Sequence, residues 1–151
     1  MPPEQGWHFL SSTIYGINEL TGSITNGFTH LITMENDMSG NKSQTDFSKF
    51  AALDLRVGRV LKVEDAATKK PTYRLTVDFG PEIGTRVSCG AYRNYPKESL
   101  LGKLVICIVN FPAMKMGPET SEVLILGVPN EKTETIYLTP QSEVPLGVQV
   151  F

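Results

Sequence analysis

A small all-β barrel, closed or nearly so, is the fold class that this sequence predicts. Three observations point to it: strand-like runs of five to eight residues separated by turn residues, a glycine interruption in the first long run, and one short helix-like connector between the third and fourth runs. With 151 residues, 40% hydrophobic and 20% charged, the chain has the make-up of a globular protein with room for one domain of roughly 100–150 residues. No apolar run reaches the ~20 residues of a membrane span, so no membrane insertion is expected.

The elements follow in order. "DFSKFAAL" predicts a short helix capped by Asp46, with Phe47, Phe50 and Leu53 on one face. "LDLRVGRVLKVED" predicts a long strand with Leu55, Val57, Leu61 and Val63 inward, and Gly58 and Arg59 in its middle mark the bulge or sharp bend that a small barrel needs. "YRLTVDFG" alternates cleanly, with Tyr73, Leu75, Val77 and Phe79 on one face. In "TRVSCGAY" the apolar Val87, Cys89 and Ala91 are expected inside, so Arg86, Ser88 and Tyr92 are expected outside. After the connector "YPKESLLGK" come "LVICIVNF", a long loop around "AMKMGPETSE", and "EVLILGV"; "TIYLTP" and "VPLGVQVF" then give a C-terminal extension of shorter extended segments. The expected architecture is a five-stranded OB-type barrel with a short N-terminal helix. Two of its strands, "LVICIVNF" and "VLILGV", are apolar on both faces, so something must cover their outer side. The first helix, the C-terminal segment, the N-terminal extension and a second copy of the chain are the candidates, and a homodimer is the preferred one.

Charge divides the chain at the same place as pattern. Residues 1–45 hold one Lys, Lys42, against Glu4, Glu19, Glu35 and Asp37, whereas residues 46–151 hold 13 Lys and Arg against 12 Asp and Glu. The first 45 residues lack the basic, apolar architecture of a secretory signal or presequence and end in the polar run "ENDMSGNKSQ", so a disordered or covering extension ahead of a domain at 46–151, in a cytoplasmic protein, is one expectation. The other is a misassigned start, with Met34 or Met38 as the true first residue.

Reactive side chains exclude more than charge does. Both histidines, His8 and His30, lie in the extension, which removes Ser/His and Cys/His nucleophiles and His-based metal sites from the main domain. Cys89 and Cys107 lie in apolar strand patterns without a C-x-x-C spacing, and two buried reduced thiols are expected. Gly58, Gly80, Gly84 and Gly90 form no phosphate-binding fingerprint, because no helix pattern follows at the required spacing. Neither an enzyme activity nor a cofactor is expected.

A binding surface is expected instead. In barrels of this type oligonucleotides lie on the outer face of strands two and three, between the loops that join strands one to two and four to five. Those positions hold Arg74, Arg86, Ser88 and Tyr92 on the strands, Lys69 and Lys70 in the first loop and Lys115 in the second. Cations neutralise phosphates, hydroxyls bond sugar and base edges, and aromatic or thioether groups give bases a face to stack on.

"LDLRVGRV", "VDFG", "SLLGKLVICIVNFPAMKMGPETSEVLILG" and "LTPQSEVPLGVQVF" together resemble the tRNA-binding domain found at the C-terminus of methionyl-tRNA synthetases, in free-standing structure-specific tRNA-binding proteins and in CsaA secretion chaperones. The likeness runs from about Phe47 to Phe151. It implies an OB-fold that binds tRNA by shape, usually as a homodimer and without catalysis. By position it implies a binding surface of Arg86, Ser88, Asn110, Lys115, Met116, Ser121 and Glu122. "KMGP" stands where synthetase-like members have "KMRG", so one cation of that pattern is absent. The CsaA branch implies a second role, the holding of unfolded or precursor polypeptides, for which a Met-rich loop is an adaptable apolar contact.

Overall fold

The longest strand organises the molecule by changing partners at its middle. The computed structural model describes residues 40–151. In it, strand β1 (Leu55–Asp65) follows helix α1 (Phe47–Ala51) and is succeeded by β2 (Tyr73–Asp78), β3 (Thr85–Gly90), helix α2 (Lys97–Leu100), β4 (Leu104–Ile108), β5 (Met114–Met116), β6 (Glu119–Ser121), β7 (Leu124–Ile125), β8 (Gly127–Pro129) and β9 (Thr135–Tyr137). The main sheet is antiparallel with order β3-β2-β1-β4-β7, and β5-β6 and β8-β9 are separate hairpins. The expected N-terminal extension and the alternative starts at Met34 and Met38 fall outside the described residues, apart from the extension's last few positions.

The first half of β1 pairs with β4, Leu55 opposite Ile108 to Arg59 opposite Leu104, and its second half pairs with β2, Arg59 opposite Asp78 to Asp65 opposite Tyr73. The strand therefore bends through Gly58 and Arg59. A Cβ on Gly58 would stand 2.4 Å from Val77 Cγ1 and 2.8 Å from the Phe79 ring, so the bend needs a residue without a side chain. The register then shifts between Val60 and Lys62. The shift leaves Leu61 as the extra, unpaired residue, after which Val63, opposite Leu75, again packs against the core. Val60 points into the core and Leu61 is 51% exposed, which corrects the expectation that Leu61 faces inward.

The free edges of β3 and β7 meet through residues 121–123. The Glu122 and Val123 N–H groups both donate to Val87 O, at 2.7 and 3.2 Å. In return the Val87 N–H donates to Glu122 Oε2 at 2.8 Å and the Cys89 N–H to Ser121 Oγ at 3.0 Å. Side chains thus complete a seam that backbone pairing alone leaves open. Inside it pack Val60, Leu75, Val77, Phe79, Tyr92, Leu100, Val105, Cys107, Val123 and Ile125, each such burial contributing roughly 1.5–3 kcal/mol for a large apolar side chain.

Strand β3 sits the other way round from its expected orientation. Ser88 lies directly opposite the buried Leu75, and opposed residues of an antiparallel pair share a face, so Ser88 is inside and only 2% exposed. Tyr92 is likewise buried, its hydroxyl donating to Ile125 O at 3.2 Å. Val87 and Cys89, opposite the outward-facing Thr76 and Arg74, lie on the outer face, and the 121–123 seam bonds to their backbone edge.

The C-terminal extension is part of the sheet. Gly147 N–H donates to Val57 O, Val57 N–H to Val148 O and Val150 N–H to Leu55 O, which lays residues 147–150 along the start of β1. Further on, Ile106 N–H donates to Leu138 O and accepts from Leu126 N–H through its own carbonyl, so β4 is flanked there by backbone from both sides of the β8-β9 hairpin. Helix α1, by contrast, buries none of its residues. Phe47 is 77% exposed, and its ring lies 5.8 Å from that of Phe50.

Candidate nucleic-acid interface

Two connections meet at one end of the barrel. The loop 66–72, between β1 and β2, is closed at its base by Ala66 N–H donating to Thr72 O and braced by the Thr68 and Thr72 hydroxyls, 2.6 Å apart. This leaves Lys69 and Lys70 exposed. The connection between β4 and β7 is a hairpin rather than an open loop: Met114, Lys115 and Met116 pair with Ser121, Thr120 and Glu119. Gly117 at φ 65° and Pro118 make its two-residue turn, as Gly first and Pro second suit a turn that needs positive φ at its first central residue. Glu119 docks this hairpin on the first loop. Its Oε1 accepts the Ala67 N–H at 3.0 Å, and its Oε2 lies 3.3 Å from Arg74 Nε.

The outer face of β1 and β2 is electrically balanced. Lys62 Nζ lies 2.8 Å from Glu64, Glu64 lies 3.2 Å from Arg74, and Arg74 reaches Glu119. The Lys62 ammonium, helped by Arg74, holds the Glu64 carboxyl below its ordinary value against the opposing effect of desolvation. Two cations and two carboxylates cancel there, and Arg74 acts as a strut between Glu64 on β1 and Glu119 on the hairpin.

The nine expected site residues therefore part company. Lys115 is exposed and half-buried Met116 lies beside it on the hairpin, next to the strand face that holds Arg74. Arg86 is opposite the buried Val77, so it belongs with Ser88 to the inward-facing set of β3 rather than to the face of Arg74 on which it was expected. It lies towards the other end of β2, three residues or ~10 Å along β3 from the level of Arg74, and its guanidinium donates to Thr85 O. Ser88, Tyr92 and Ser121 are buried, with Ser121 Oγ also donating to Val123 O at 3.2 Å. Burial drives the Tyr92 hydroxyl pKa far upward. Glu122 is exposed but bonded to the Val87 backbone. Asn110 is exposed too, and its amide bridges two backbone groups, accepting the Asp54 N–H at 2.9 Å and donating to Ala52 O at 2.8 Å.

One cluster was not expected. Asp65, the last residue of β1, lies 2.8 Å from Arg93 Nη1 through Oδ1 and 2.5 Å from Lys97 Nζ through Oδ2. Both cations also face the Tyr73 ring, Arg93 at 4.7 Å and Lys97 at 5.8 Å from its centroid. Lys97 first and Arg93 second depress the Asp65 carboxyl below its ordinary value. The alternation of aromatic and basic residues in "AYRNYPK" is the signal in the sequence that could have found it.

A family model described as "Putative tRNA binding domain" matches residues 55–149. A methionine–tRNA ligase of Archaeoglobus fulgidus is 35% identical over 117 residues, which are 77% of this chain and 17% of that protein. The chain thus spans less than a fifth of that curated relative's length. Among solved structures, a chaperone CsaA of Bacillus anthracis has 34% identity and a TM-score of 0.68 over 72% of this chain and 100% of its own. A MetRS-related protein of Pyrococcus horikoshii has 28% identity and a TM-score of 0.65, over 73% of this chain and 100% of its own. The barrel closed through Ser121 and Glu122, the hairpin that carries Lys115, and a match reaching from the start of β1 almost to the C-terminus have one reading: the chain belongs to the tRNA-binding domain family.

Proposed function

We propose that the protein is a non-catalytic module that binds folded tRNA by shape, through the surface where the 66–72 loop meets the β5-β6 hairpin. The observation that carries this reading is the docking of the two loops by Glu119, which holds exposed Lys115 beside a loop bearing Lys69 and Lys70. Cations on preset backbone suit phosphates at fixed spacing, and Met116 beside them suits a base or ribose edge. Family membership supports tRNA as the ligand. Because this module corresponds to a small part of the synthetase relative, no aminoacylation is assigned to it. The cytoplasm is the compartment that suits two free thiols, Cys89 and Cys107.

A titration of tRNA at increasing salt tests this. Wild type is expected to bind at low salt and lose affinity steeply, and Lys115→Ala to lower the slope of log affinity against log salt by about 0.7–0.9, the share of one phosphate. No binding at low salt overturns the proposal.

A CsaA-like chaperone holding unfolded or precursor polypeptides is the second reading. It is supported by the likeness to the chaperone CsaA and by exposed apolar groups, Phe47 and Val148 among them. Capture by apolar surface should hold or strengthen with salt, opposite to tRNA. The same groups support a homodimer, in which a second copy covers the helix face that the described residues leave exposed; a monomeric mass by light scattering at micromolar concentration would overturn it.

A further inference from the structure

Two groups of cations near the docked loops are paired with carboxylates, in two different ways. In the Lys62, Glu64, Arg74, Glu119 chain two cations meet two carboxylates, so the charges cancel. At the end of β1, one carboxylate serves two cations. Arg93 and Lys97 are 41% and 35% exposed, and Asp65, 54% exposed, is the last residue of its strand and can swing into water.

We infer that Arg93 and Lys97 form a binding position for one RNA backbone phosphate, which Asp65 fills when no RNA is bound. The inference rests on the tRNA reading above and adds to it residues on the β3-α2 connection. Its chemistry is that of substitution. Asp65 presents one oxygen to each cation, and a phosphodiester presents two non-bridging oxygens that take the same two partners. A phosphodiester stays ionised at neutral pH and is tethered to a polyanion, so it competes with a single exposed carboxylate. Tyr73 sets the position: its ring is 6% exposed and fixed by its hydroxyl donating to Tyr95 O at 3.1 Å, and Arg93 lies across it. Tyr73 thus limits where the Arg93 guanidinium can sit.

Opposite signs distinguish this from a merely structural cluster. Asp65→Asn removes the occupant and should raise tRNA affinity about threefold at low salt, with a salt slope steeper by about 0.7–0.9. Arg93→Ala and Lys97→Ala should each lower affinity about threefold to tenfold, and Arg93→Lys should restore part of the loss. Thermal melting of every variant is measured alongside. If Asp65→Asn leaves affinity unchanged or lowers it in parallel with stability, while wild type binds tRNA normally, the phosphate position is wrong and the tRNA reading stands. If wild type does not bind tRNA at low salt, both are overturned.

Discussion

The stretch from Asn110 to Glu122 contains two regions with opposite duties. Its ends are fastened: Asn110 bridges Asp54 and Ala52, and Ser121 and Glu122 complete the hydrogen bonding of β3. Its middle, Lys115 to Pro118, is the exposed tip of a hairpin. On the proposed tRNA-binding reading, a contiguous motif encodes a lock and a probe together. The polar residues that look most like ligand-binding groups in the sequence are largely the lock, since a half-buried N–H such as that of Cys89 needs an acceptor and only particular side chains reach it.

The sharpest way to break this contrast is through Cys89, whose N–H the lock satisfies. Burial, with Glu119 adding to it and Arg74 opposing, pushes its thiol up to about 11, so at pH 8 it is neutral and only near pH 11 would it ionise. Alkylation of native protein at pH 8 should run about a hundredfold slower than that of a free thiol, and Cys107, buried and pushed higher still, should be slower again. Denaturant should restore both, and rapid modification of native Cys89 would show that the seam is open.

Ser121→Ala comes next. It leaves the Cys89 N–H without its acceptor and should cost about 1–3 kcal/mol in urea unfolding, while hastening Cys89 alkylation. Asn110→Ala, at an exposed site with two backbone partners, should cost about 1 kcal/mol in the same measurement. Lys115→Ala should change stability by less than about 0.5 kcal/mol, its effect falling on tRNA binding alone. Equal stability losses for Ser121→Ala and Lys115→Ala would erase the distinction between lock and probe.

Strand β2 was legible residue by residue, because its period-two pattern faces one core and nothing else. The Gly58 bend was legible for a similar reason, since a glycine inside a strand pattern weakens the strand unless the backbone must bend or pack closely there. Strand β3 was not. Its apolar Val87 and Cys89 are bonded along their backbone edge by a segment more than 30 residues further along the chain, a partner that no local pattern announces. Leu61 was misplaced by the one-residue slip after Val60, to which alternation is blind. The cluster of Asp65, Arg93 and Lys97 joins residues some 30 positions apart, and only the pairing of β1, β2 and β3 brings them to the same end of the barrel.

The two-residue turn at Gly117 and Pro118 bears on the thermodynamics of recognition. Proline narrows the conformations open to the tip, and Glu119, next to the turn, pins the hairpin to the 66–72 loop. A ligand arriving at Lys115 meets backbone that is already ordered, so the entropy lost on binding is confined largely to the lysine side chain, at about 0.5–1.5 kcal/mol. Proline also has no N–H to offer, so half of the turn is silent towards phosphates and selectivity passes to the side chains on either side of it.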